Sequence, residues 1–178
     1  MLRGRNVPGL TESHPDTRKF MSDTSITAPT MLSRIQSHLR GETPVAPVAT
    51  LIGFKLTAIA PGEATITLAT GPQHANPMGT LHGGILCDIA DAAMGLAYAS
   101  NLAEGETFTT LEMKINFLKP VWSATLTAEG KVLKQGRTVG LTECNVKDEK
   151  GSLVAYATST CMTLRGEGAL GRSALQPS

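Results

Sequence analysis

The chain has 178 residues, which suits one compact domain with short extensions and argues against two full domains. Sixteen Lys and Arg against fifteen Asp and Glu leave a net charge of +1, so nothing in the electrostatics selects nucleic acid or an anionic membrane as partner. Charged residues make up only 17% of the chain, below the usual share of about a quarter, and part of the surface is therefore expected to be covered by another subunit. The longest charge-free run, residues 64–87, is broken by Gly71, Pro72, Pro77 and Gly79 and is not expected to span a bilayer.

Residues 1–44 hold Pro8, Pro15, Pro29 and Pro44 among many Ser and Thr, with one helical stretch over 30–40, and read as a flexible N-terminal arm. Arg3 and Arg5 precede the first acid, Glu12, but no apolar core of a secretory signal follows, and a cytoplasmic setting is expected. Cys87, Cys144 and Cys161 show no metal-ligand or disulfide spacing, which fits reduced, buried thiols. A domain over 45–164 is expected next. Period-two patterning predicts strands over residues 50–60 and 63–69, then over 108–118, 124–135, 138–147 and 153–164. Pro61-Gly62, Gln135-Gly136-Arg137 and Asp148-Glu149-Lys150-Gly151 supply hairpin turns. Residues 165–178 read as a flexible tail. Its Gly166-Glu167-Gly168-Ala169-Leu170-Gly171 matches G-x-G-x-x-G formally, but only seven residues follow, too few for the helix and strand of a dinucleotide site.

Between the second and third strands, residues 83–100 have apolar side chains around most of a helical circumference, so a helix buried on nearly every side is expected. Two strands before it and four after it indicate an α+β domain in which a curved antiparallel sheet covers one long central helix. Asp88 and Asp91, at i and i+3, share the small remaining face. They mark either a functional pair or a solvated or interface-facing stripe. Upstream, Asn76-Pro77-Met78-Gly79-Thr80-Leu81-His82-Gly83-Gly84 runs into the helix start, where free N–H groups suit a developing oxyanion. The paired glycines either admit an acyl group to the backbone or permit tight loop packing, and His82 is either part of such a site or a hydrogen-bonded core histidine.

The pattern Asn76-x-x-Gly79-x-Leu81-His82-Gly83-Gly84, followed by Asp91 and Gly95, resembles the signature of PaaI-type hotdog-fold acyl-CoA thioesterases. The run 109–120, Thr-Thr-Leu-Glu-Met-Lys-Ile-Asn-Phe-Leu-Lys-Pro, and Gly136-Arg137 extend the likeness over residues 50–164. The resemblance implies a hotdog fold and a thioester hydrolase in which Asp91 acts as general base or nucleophile and Gly83 N–H and Asn76 polarise the carbonyl. It also implies that His82 positions loop and substrate and that Thr110, or Thr109 if the alignment shifts, orients water. Asp88 is outside the family pattern. Coenzyme A would enter as part of the substrate, with no separate cofactor and no metal, and Gly136 and Arg137 beside Lys134 are candidates to meet its phosphates.

A further constraint comes from spacing. Eight residues separate Gly83 from Asp91, about 12 Å along one helix axis, too far for one thioester carbon to meet both. The site is therefore expected to join Gly83 of one subunit to Asp91 of another, in a homodimer or a dimer-of-dimers tetramer. A serine hydrolase lacks its G-x-S-x-G elbow here, and a Cys87 thiolate is disfavoured by the adjacent Asp88. The competing class is a non-catalytic acyl-CoA-binding hotdog module, with a hotdog dehydratase as the second enzymatic alternative.

Overall fold

The computed structural model describes residues 30–172. Thr30 opens α1 (Met31–Leu39) by accepting the Ser33 N–H, and Pro47 at the first turn sets the backbone for α2 (Pro47–Ile52). Gly53, at φ 90°, ends α2 in the left-handed region, which hands the chain to β1 (Lys55–Ala60). The strand expected over 50–60 thus begins only at Lys55, since residues 50–52 belong to α2. Thr50 and Ile52 favour a strand, but Pro47 and Gly53 punctuate the segment more strongly than alternation does.

β2 (Glu63–Ala69) follows a tight turn, and after a 3-10 turn at Pro72–His74 comes α3 (Gly83–Ala99). Then come β3 (Thr107–Phe117), β4 (Thr125–Gln135), β5 (Val139–Lys147) and β6 (Leu153–Leu164). The strands form one antiparallel sheet in the order β1-β2-β4-β5-β6-β3, so β3 is an edge strand. This is the α+β hotdog arrangement, with the sheet laid along one long helix.

Ile66 and Leu68 of β2, Leu126 and Ala128 of β4 and Val146 of β5 face Leu86, Ile89, Ala93 and Met94 of α3 in a single core. Helix and sheet approach closely because small residues meet: a Cβ on Gly130 of β4 would overlap the Ala93 backbone. The helix C-terminus is tied to the β1–β2 turn, where the Gly62 N–H donates to Ser100 Oγ at 2.8 Å. α3 is not buried on every side. The sheet covers one side only, leaving Asp88 and Asp91 exposed and Cys87 and Ala92 half-buried on the other.

α1 lies inside the stretch read as a flexible arm, yet it docks on β1 and α3 through Ile35, which is 1% exposed and packs beside Tyr98 and Ala99. Residues 1–29 of that arm fall outside the described residues, as do residues 173–178 of the tail. The G-x-G-x-x-G match forms a short 3-10 turn after β6, at Gly166–Ala169. No helix among the described residues is long and apolar enough to cross a membrane.

Candidate active site

The loop entering α3 is held by its own polar groups. Asn76 Oδ1 accepts the Met78 and Thr80 N–H groups at 2.9 and 3.2 Å, while Asn76 Nδ2 donates to Thr80 Oγ1 at 2.8 Å. Asn76 is therefore an organiser of the loop, and its amide keeps a second hydrogen for another acceptor. Beneath the loop sits His74, buried, with Nδ1 accepting the Gly71 N–H at 3.1 Å and Nε2 2.8 Å from the Ile52 carbonyl. That pairing puts the proton on Nε2 and ties the loop to the end of α2. The His74 carbonyl in turn accepts the His82 N–H at 2.9 Å.

His82 is the N-cap of α3. Its Nδ1 accepts the Gly84 N–H at 2.9 Å, so a neutral ring carries its proton on the exposed Nε2. The paired glycines have separate reasons. A Cβ at Gly84 would stand 2.8 Å from His82 Nδ1, and one at Gly83 would meet the Phe117 ring at 3.0 Å. The Gly83 N–H takes no hydrogen-bond partner among the described residues and stands at the positive end of the α3 dipole. Beside it lies a cavity of about 430 Å³ lined by Leu86, Phe117, Leu118 and Lys119.

Two turns along α3, Asp91 Oδ1 accepts a hydrogen bond from Thr110 Oγ1 at 3.1 Å. A β-bulge in β3 between Thr110 and Glu112 interrupts the alternation there, and of the two adjacent threonines it is Thr110 whose hydroxyl meets Asp91. A second cavity, about 230 Å³, opens beside this pair. Partial desolvation at the helix face, helped by the nearby Asp91, pushes the Asp88 carboxyl above its usual range. Burial first, then Asp88 and Asp91, also raises the Cys87 thiol, which keeps it protonated and a poor nucleophile.

The motif residues thus gather at two places along α3 rather than at one. Asn76, His82 and Gly83 gather at the N-terminal end of α3, and Asp91 with Thr110 lies about 12 Å further along it. Gly136 and Arg137 stand on the β4–β5 hairpin, whose root shares a row with Thr110: Gly140 pairs with Cys161, and Cys161 with Thr110. Met94 and Tyr98 are core, whereas Leu96 and Phe117 line cavities. Sequence reasoning missed His74, whose partner carbonyl is 22 residues away, and it missed the wall that α1 provides through Met31 and Ile35. The i, i+4 spacing of those two is the signal that was present.

Residues 78–155 match the Thioesterase superfamily. The chain is 36% identical over 114 residues to a protein of Saccharolobus solfataricus that carries an esterase name, covering 64% of this chain and 81% of that one. It is 31% identical over 108 residues to the acyl-coenzyme A thioesterase PaaI of Escherichia coli, covering 60% of this chain and 75% of PaaI. Among solved structures, a thioesterase family protein from Silicibacter pomeroyi superposes with a TM-score of 0.67 at 27% identity, over 74% of this chain and 98% of that one. The structure of E. coli PaaI, at 24% identity, shares the fold with a TM-score of 0.68 over 78% of this chain and 98% of its own. The chain belongs to the thioesterase superfamily and is a hydrolase of its PaaI-type hotdog branch.

Proposed function

We propose that the chain hydrolyses acyl-coenzyme A thioesters at a site shared between two subunits. The observation that carries this reading is the Thr110–Asp91 hydrogen bond beside an apolar cavity, two helical turns from the unpartnered Gly83 N–H. Two antiparallel copies of α3 related by a two-fold axis would bring Asp91 of each protomer to Gly83 of the other, twice. The exposed carboxylate stripe of α3 and the open edge of β3, with Leu111 and Phe117 uncovered, are the surfaces that such a dimer would cover.

In that site the thioester carbonyl accepts from the Gly83 N–H, aided by the Asn76 amide, so charge that develops on oxygen meets the helix dipole. Asp91 takes a proton from water as the water adds to the carbonyl carbon, and Thr110 fixes the carboxylate and the water. The tetrahedral intermediate collapses by expelling the coenzyme A thiolate, a good leaving group. His82 holds the loop, and Arg137 on the β4–β5 hairpin is the proposed contact for the phosphates of coenzyme A. No separate cofactor is invoked.

Release of free thiol from a panel of acyl-CoAs tests the activity, and a chain that binds acyl-CoA without releasing thiol would be the non-catalytic module instead. A single turnover in ¹⁸O-labelled water tests the step: label should pass straight into the product acid. Label retained on Asp91 with unlabelled acid would make that carboxylate the nucleophile.

A further inference from the structure

Two cavities meet at α1. The one beside Asp91, about 230 Å³, is walled by Met31, Ile35, Gly95, Leu96 and Phe108, and Asp91 is its single charged member. Gly95 keeps this space open, since a Cβ there would stand 3.1 Å from the Phe108 ring. The other, about 250 Å³, lies between α1, α2, β1 and α3, with Val45, Ala49, Phe54 and Leu56 among its walls. Ile35 and Leu96 line both. One of these shared side chains comes from α1 and the other from α3.

We infer that the two cavities form one tunnel for an unbranched aliphatic acyl chain, entered beside Asp91 and partitioned by Ile35 and Leu96, and that α1 thereby sets the chain-length preference. The inference rests on the thioester reading above. A polymethylene chain is thin and flexible and passes between two aliphatic side chains once they change rotamer, and the adjacent Met31 adapts readily. A rigid aryl group is confined to the first cavity. The far cavity offers nothing to an acyl group that ends at the partition, whereas each further methylene placed there adds about fourfold in affinity.

Two measurements on the full chain test the tunnel. Thiol release gives kcat/KM for straight-chain acyl-CoAs from butyryl to myristoyl and for phenylacetyl-CoA, and calorimetry gives Kd for the matching S-alkyl-CoA thioethers, which cannot be hydrolysed. The decyl-to-butyl affinity ratio should be at least tenfold in the wild type, and Val45→Trp, which fills the far cavity from a position 52% exposed and tolerant of the change, should lower it about tenfold. Ala49→Phe should act in the same direction from the buried side, and Ile35→Ala should favour the longer chains. Affinity independent of alkyl length, or a ratio that Val45→Trp leaves as in the wild type, overturns the tunnel. Length-dependent thioether binding without thiol release from any acyl-CoA overturns the hydrolase reading and leaves the tunnel standing. Thiol release with length-independent binding does the reverse.

Discussion

Asp91 and Thr110 touch, yet their replacements should differ in severity. Asp91→Asn removes the proton acceptor and should lower kcat by about 10²-fold or more with little change in ligand binding, because an amide cannot take the proton from water. Thr110→Ala leaves the acceptor in place and loses only the hydroxyl that aims it, so a drop of about tenfold is expected. Asp88 makes a prediction of another kind. Its carboxyl is raised by partial desolvation and by Asp91, so its contribution to stability is full below the ordinary carboxylate range and is lost as pH rises through the raised value. Asp88→Asn should therefore raise Tm at pH 7, and the gain should shrink toward zero near pH 4 in a thermal-unfolding series. A gain that persists unchanged at low pH would show that charge is not its cause.

At the level of elements, α3 depends on glycine in two ways that unfolding can separate. Gly130→Ala drives a methyl into the Ala93 backbone, where no side chain can move aside, and should cost about 1–3 kcal/mol or more, read as a lower urea midpoint at unchanged m. Gly84→Ala instead displaces the His82 ring from its cap, for about 1 kcal/mol. On a His82→Ala background the ring is gone and alanine is the better helix former, so the same substitution should stabilise by roughly 0.5–1 kcal/mol. A sign that fails to reverse would mean that Gly84 is needed for something other than the cap.

For the whole molecule, the proposed site, with its two halves on one helix, requires a partner. Sedimentation should show no stable monomer at micromolar concentration, and an active monomer would refute the shared site. Asp91→Asn and Asn76→Ala homodimers should each be impaired, and after subunit exchange their mixture should regain about one quarter of wild-type activity. Half of the dimers are then mixed, and each mixed dimer holds one site with both residues intact. No recovery despite verified exchange would put Asn76 and Asp91 in the same protomer's site.

The sequence by itself determined the order of elements from β2 onward and the class of the fold, because each of those segments announces itself locally. β2 and β6 occupy the residues that alternation marks, 63–69 and 153–164, and Pro61-Gly62 and the Asp148–Gly151 run turn the chain as their residue types require. The candidate motif residues could be picked out too, since their types and spacing carry chemistry. What only the tertiary structure decided are matters of contact across long stretches of chain. The bulge that goes with Thr110, and not Thr109, meeting Asp91 shows itself only when β3 pairs with β6. His74 acquires its role from the Ile52 carbonyl, and α1 becomes a cavity wall only by docking on β1 and α3. Even the openness of the carboxylate face is a tertiary fact: an apolar helix pattern records how much surface must be covered, and the fold determines how much of it one sheet can reach.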